Sequence, residues 1–236
     1  MRKSMSKIIA ASGPSGSVEA VRQLAREACD VGAGVIALLG SLTPKNKDPR
    51  EYAEVLKALS EAQLPAFYIP GPEDAPFSAF LREAANFEVV YPNVRGVHGT
   101  FGIAPGHVVW SGMGGTIEDH PDTIRDEVGA LRYPGWEVEY QLKFLQELKD
   151  YQKVFMFTTF PEHKGRHEKG SAVLAEIIKT YNPRLVLVGG GEPRHEIVGK
   201  SLLVALGCLA KGDFTVVDLR KGEATPRTLR QPAKAA

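Results

Sequence analysis

Apolar residues in this chain fall into short continuous runs that alternate with longer stretches striped at three- and four-residue spacing. The run "KIIAAS" reads as a buried strand. The segment "VEAVRQLAREACDV" then sets Val18, Val21, Leu24 and Ala25 on one helical face, with Ser17 placed to cap it and Gly32 to end it. "VIALLG" is apolar throughout, as a strand covered on both faces must be. "DPREYAEVLKALSEA" opens with Asp48 at the cap, Pro49 at the first helical position and Glu51 three residues on, a strong helix start. "PAFYIP" is a third strand, and "FSAFLREAA" a helix after it. This β-α-β-α-β opening predicts parallel strands joined by right-handed crossovers.

The pattern changes after residue 86. "FEVVY", "TFGIA" and "HVVWSG" read as short strands between turns. "GWEVEYQLKFLQELKDY" is a helix with Val138, Leu142, Leu145 and Leu148 along one stripe. "KVFMFTT" is a buried strand, "FPEHKGRHEKG" a polar loop and "SAVLAEIIKTY" a helix. The strands "RLVLVGGG", "SLLVALG" and "DFTVVDL" close the pattern. From Lys221 the chain turns small, basic and proline-bearing, which predicts a disordered tail over 221–236 behind one domain at 1–220.

Composition narrows what such a chain does. It has 236 residues, 43% hydrophobic and 24% charged, enough for one sizeable core. A net charge of +1 gives no reason to expect nucleic acid or a membrane surface as partner. Cys29 and Cys208 are the only cysteines, too few for a disulfide framework or a zinc ribbon. The basic start carries only "IIAA" as an apolar run, too short for a signal-peptide core. A cytoplasmic location is expected.

Several strands end in glycine-rich loops: "ASGPSGS", "LGSLTP", "PGPEDAP" and "VGGGEP". Glycine lets a backbone turn tightly and approach a ligand closely; any one of these loops alone reads as a simple tight turn, while so many at one edge suggest a shared pocket. "GPSG" lacks the G-x-G-x-x-G spacing of a dinucleotide fold, and no lysine makes it a P-loop. Anion binding at the N-terminus of the Ser17 helix is a further reading. Glu73 and Asp74 have two: cation ligands, or acids favourable at the start of the following helix.

In order, "SGPSG", "LLGSL", "IPGPED", "FTTFP" and "VGGGEPRHEIVGKSLLVALGCL" resemble the loop frame of the calcineurin-like metallophosphoesterases, from about Lys7 to Leu219. The resemblance implies a mixed α/β fold, a two-sheet β-sandwich flanked by helices in an αββα arrangement. It also implies that the loops at 12–16, 41–44, 71–75, 158–164 and 189–195 meet in one cleft.

The family's ligand residues are replaced in that frame. Gly13 and Ser15 stand at its first aspartate and histidine, Ser41 at the bridging aspartate and Pro72 at the asparagine. Glu73 stands at the histidine that assists phosphate chemistry, and Asp74 at the acid after it. Thr158 replaces a lone histidine, and Gly190 and Glu192 replace the final pair. Dinuclear phosphoesterases hold two ions roughly 3.5–4 Å apart. A serine hydroxyl in place of the bridging carboxylate contributes no negative charge.

The expectation is therefore a non-catalytic phosphoesterase fold, without cofactor, binding a small anionic ligand or a protein partner. An oligomer is compatible with this. The alternative is an active phosphoesterase with one divalent cation (Mg, Mn or Ca) at Glu73, Asp74 and Glu192. His163 and His195 lie on flanking loops as possible ligands or acid–base groups. Lys164 can contact an anion, and the candidate pocket is Ser15, Ser41, Glu73, Asp74, Thr158, His163, Lys164, Glu192 and His195. The pair His163 and His167 is not a zincin motif, because Lys164 occupies the place of its glutamate.

Overall fold

The structure is a computed structural model that describes residues 7–44, 48, 50–163 and 170–229. Its strands form two six-stranded sheets. In the first, the order is β14 (Glu223–Thr228), β13 (Asp213–Asp218), β1 (Lys7–Ser12), β2 (Val35–Leu39), β3 (Ala66–Ile69) and β4 (Val94–Gly96). In the second it is β11 (Arg194–Val198), β12 (Ser201–Ala205), β10 (Leu185–Val188), β9 (Lys153–Phe157), β6 (Val108–Met113) and β5 (Phe101–Ala104). A small parallel pair, β7 (Thr116–Glu118) and β8 (Arg132–Pro134), stands apart.

The two-residue period of a strand explains why these runs are apolar without interruption. Ile8, Ala10, Val35, Ala37, Leu39, Phe67 and Ile69 face inward, where they meet Trp110, Val154, Met156, Leu185, Leu187 and Val204 of the second sheet. Their neighbours Ile9, Ala11, Ile36, Leu38 and Tyr68 face outward under helices α1 (Val18–Asp30), α2 (Arg50–Ser60) and α3 (Phe77–Val90). On the second sheet Val109, Phe155, Phe157, Val186 and Val188 face outward to α4 (Gly135–Gln141) and α5 (Ala172–Tyr181). Every central strand is thus buried on both faces, and the αββα sandwich follows. Phe67 stacks on Trp110 across the seam, with ring centroids 4.9 Å apart and planes 12° from parallel.

The structure departs from the sequence pattern in four places. "FEVVY" is not a strand but the end of α3: Phe80, Ala84 and Phe87 continue one helical stripe into the core, whereas Val89 and Val90 are 86% and 65% exposed. The stripe of buried residues outweighs the strand preference of the valines. The helix expected over 135–151 stops at Gln141 and tightens into a 3-10 turn over Leu142–Gln146. The hydroxyl of Ser17 makes no capping bond to α1. At α2, Asp48 Oδ1 accepts from the Arg50 amide at 2.9 Å as expected, while Pro49 lies outside the described residues.

The fourth departure is the tail. Residues 223–228 form β14, an edge strand paired antiparallel with β13. The turn before it is local: Asp218 Oδ1 accepts from the amides of Arg220 and Lys221, and Gly222 adopts φ +68°. Ala224 and Leu229 are buried, and Pro226 is tolerated because the strand has a free edge. A chain ended after Lys221 should therefore unfold at lower urea concentration than the full chain, by roughly 2–3 kcal/mol of lost apolar burial. An unchanged urea midpoint would mean that this segment stabilises nothing.

Candidate functional site

The carboxyl ends of β1, β2, β3, β9 and β10 lie together, and the loops leaving them are laced to one another. The Gly13 amide donates to Leu39 O at 2.9 Å, Ser15 N to Ser41 O at 3.2 Å and Gly16 N to Leu42 O at 2.8 Å. Those bonds occupy loop amides ahead of α1, and the Ser17 and Val18 amides turn back to Pro14 O and Gly16 O. The loops after β2 and β3 pack back to back: a Cβ on Gly40 would lie 1.9 Å from Gly71 N, and one on Gly71 would lie 2.3 Å from Ser41 N. Glycine is required at both positions for this close approach. The second sheet joins at Gly189, whose added Cβ would meet Ser12 Oγ at 2.5 Å.

Asp74 holds this arrangement. Its carboxylate accepts from the amides of Leu42 (2.8 and 3.0 Å), Thr43 (3.0 Å) and Gly71 (2.7 Å). The side chain is wholly buried, lines no part of the cavity above these loops and does not cap α3, whose N-cap is Pro76. Both sequence readings of Asp74, as cation ligand and as helix cap, are thereby corrected. The neighbouring Glu73 is exposed, and its amide donates to Ser41 Oγ at 3.2 Å.

A cavity of about 320 Å³ opens above these loops. Ser12, Ser15, Ser41, Glu73, Thr158 and Cys208 line it, with Pro72 and glycines between them. Four of the expected residues (Ser15, Ser41, Glu73 and Thr158) therefore come together. The Thr158 hydroxyl donates to Gly115 O at 2.7 Å, which ties β7 to this edge. Asp119 secures the other end of β7 by accepting from Ser171 Oγ and the Ala172 amide at the start of α5.

The remaining expected residues stand elsewhere. Glu192 and His195 are exposed and outside the cavity lining, and His163 lies 3.9 Å from Glu196 rather than in the cavity. Lys164 and His167 lie outside the described residues. Among the described residues no three His, Cys, Asp or Glu side chains converge as metal ligands, so Glu73, Asp74 and Glu192 do not form the cation triad of the alternative reading. Ser12 and Cys208 were missed. They meet only because residue 12 of the first sheet bridges residue 208 beyond the second, a contact that has no local signature.

Burial pushes the Asp74 carboxyl up, to about 6, and the three amides oppose that rise without cancelling it. The folded state thus keeps a proton that the unfolded chain releases near pH 4. The stability this contributes is complete below pH 4 and is lost as pH rises to about 6, on the order of 2–3 kcal/mol. Buried His98, held down to about 3 by burial and by Arg125, acts in the opposite sense. Comparing wild type with Asp74→Asn cancels the His98 contribution. The substitution turns an amide –NH₂ toward three N–H donors, so at pH 5 it should cost about 1–3 kcal/mol. The gap measured by urea unfolding should narrow between pH 4 and 7, and a constant gap would refute the assignment.

The calcineurin-superfamily metallophosphoesterase family matches residues 42–229. TT1561 of Thermus thermophilus, known from a crystal structure, is 46% identical, with TM-score 0.92 over 96% of this chain and 100% of that one. A second crystal structure is 26% identical, with TM-score 0.84 over 95% and 99% of the two chains. An archaeal phosphodiesterase shares the fold alone, at 13% identity and TM-score 0.56 over 94% and 99%. No match was found among curated protein sequences. Loop frame, αββα sandwich and family match agree: this chain belongs to the calcineurin superfamily of metallophosphoesterases.

Proposed function

We propose that this protein is a non-catalytic member of its superfamily, whose strand-end cavity binds a small anionic ligand or a partner group in place of two metal ions. The observation that carries the reading is the cavity lining. Where the family resemblance expects metal ligands, the chain offers Gly13, Ser15, Ser41, Pro72, Thr158 and Gly190. That donor set does not fit a dinuclear centre. Two divalent ions repel each other and need anionic ligands at fixed positions between them. Glu73 is the one carboxylate among the described residues of the lining, and Asp74 is committed to backbone amides.

The lining suits a different chemistry. Ser12 Oγ is within 3.3 Å of Gly40 O, while Ser15 and Ser41 present hydroxyls that can donate to an oxyanion. No Lys, Arg or His among the described residues lines the cavity, so an anion of low charge fits best. Cys29 and Cys208 are both unpaired, which agrees with a reducing cytoplasmic setting, and no helix among the described residues is long and apolar enough to cross a membrane. The second reading, an active phosphoesterase with one remodelled cation site, draws on Glu73 beside Ser41 at the cavity rim.

Purification in excess Mn²⁺ followed by elemental analysis distinguishes the two. The expected result is less than one ion per chain and no hydrolysis of aryl phosphate mono- or diesters above a metal-only blank. Two tightly held ions, or turnover abolished by Glu73→Ala, would overturn the non-catalytic reading.

A further inference from the structure

Helix α4 turns two aromatic rings to solvent. Trp136 and Tyr140, four residues apart and so neighbours on one helical face, are 65% and 73% exposed, and Ile124 beside them is 80% exposed. The other side of the helix explains why. Val138 and Leu142 are buried in the core, and buried Glu137 accepts from Gln141 Nε2 at 2.8 Å and pairs with Arg125 Nη1 at 2.9 Å. That ion pair fastens α4 to the loop that carries Ile124. With those positions committed, the exposed face is Trp136, Glu139 and Tyr140 of α4 and Lys143 of the 3-10 turn after it.

The two rings form a ridge with a hollow on either side. One hollow, of about 610 Å³, lies toward Ile124 and Arg125. The other, of about 400 Å³, lies between α4 and α5 and is lined by Lys143, Gln146 and Tyr181. Trp136 and Tyr140 line both. A fully buried tryptophan or tyrosine hides about 150–250 Å², so at these exposures the two rings leave roughly 200–350 Å² in water. With Ile124 added, the patch reaches the size at which exposed apolar surface on a soluble protein often marks an interaction site. A stable dimer needs about 800 Å² from each copy, for which the ridge supplies the apolar centre and the hollows with their polar rims the remainder.

Shape and charge select a second copy of this chain as the occupant. Glu139 and Lys143 are equally far from Gln141 along the chain, and so are Trp136 and Gln146. Turned end for end about a two-fold axis beside Gln141, the two ridges cross at Tyr140. Glu139 of each copy then faces Lys143 of the other, and each Trp136 meets the other copy's hollow at Gln146. Neither Glu139 nor Lys143 makes a hydrogen bond or ion pair with a described residue, so both are free to pair across the axis. A lipid surface fits less well, because Glu139 and Glu176 outnumber Lys143 around the α4–α5 hollow.

We propose that this chain forms an antiparallel two-fold dimer through α4, with Tyr140 at the axis, Trp136 seated in the other copy's α4–α5 hollow and Glu139 paired with Lys143 twice. The proposal does not rest on the reading given for the strand-end cavity.

Sedimentation equilibrium of the full chain over about 1–200 µM tests this. The expected result is a monomer–dimer equilibrium with Kd of about 10 µM or tighter, weakened about tenfold or more by Tyr140→Asp. Glu139→Lys and Lys143→Glu should each weaken it on the order of tenfold, since each sets like charges against one another at both pairs. Mixed in equal amounts, these two variants should associate as tightly as wild type, because every pair is then of opposite sign. Trp110 is buried, so iodide quenching of the wild type reports Trp136 and should fall as the dimer forms. A monomer at every concentration, or a dimer indifferent to Tyr140→Asp, would overturn the proposal. So would a mixture no tighter than either variant alone, or quenching that does not change with concentration. Should a variant lose its fold, the wild-type concentration series and its quenching decide alone.

Discussion

The strand-end site depends on one buried carboxylate. The loops after β2 and β3 turn their backbone amides toward each other, and amides buried without acceptors cost stability. Asp74 supplies the acceptors, binding Leu42, Thr43 and Gly71 with two oxygens. The glycines at 40 and 71 bring the two backbones close enough for one side chain to serve both. The first loop is then fixed in turn, because Ser15 and Gly16 donate to Ser41 and Leu42. The lining residues from the loops after β1, β2 and β3 thus sit on backbone that Asp74 holds directly or at one remove, while Thr158, Gly189 and Gly190 come from the second sheet.

This arrangement bears on what the cavity can do. A carboxylate that accepts three amides has little capacity left for a cation, so the acid nearest the cavity after Glu73 serves structure. The serines above it are neutral. Binding there relies on hydroxyl geometry, and a site of that kind discriminates by shape and hydrogen-bond direction more than by charge.

Much of the fold was legible in the sequence because double burial leaves a simple record. Strands covered on both faces are apolar almost throughout, and the runs at 7–12, 35–39, 66–69 and 153–157 are of that kind, with Lys7, Ser12 and Lys153 only at their ends. Edge elements leave less. The exposed positions are His195 and Ile197 in β11, whose other residues are half-buried, and all but Ala224 in β14, so neither has an uninterrupted apolar run. In α3 the local signal pointed the wrong way, since two adjacent valines after Phe87 mimic a strand although neither is buried.

The sequence by itself determined the alternation of strands and helices, the glycine punctuation at the strand ends and the residue types at the family's loop positions. Tertiary structure alone decided what those residues do. Asp74 and Glu73 are adjacent and chemically alike, yet one is sealed beneath the loops as an acceptor for amides more than thirty positions earlier in the chain, and the other opens to solvent. Glu192 falls outside the cavity although its loop neighbour Gly190 lines it. Cys208 enters the site through a bridge to Ser12. The physical reason is common to all three: a side chain's role is set by which long-range backbone groups surround it, and residue type and spacing do not encode that.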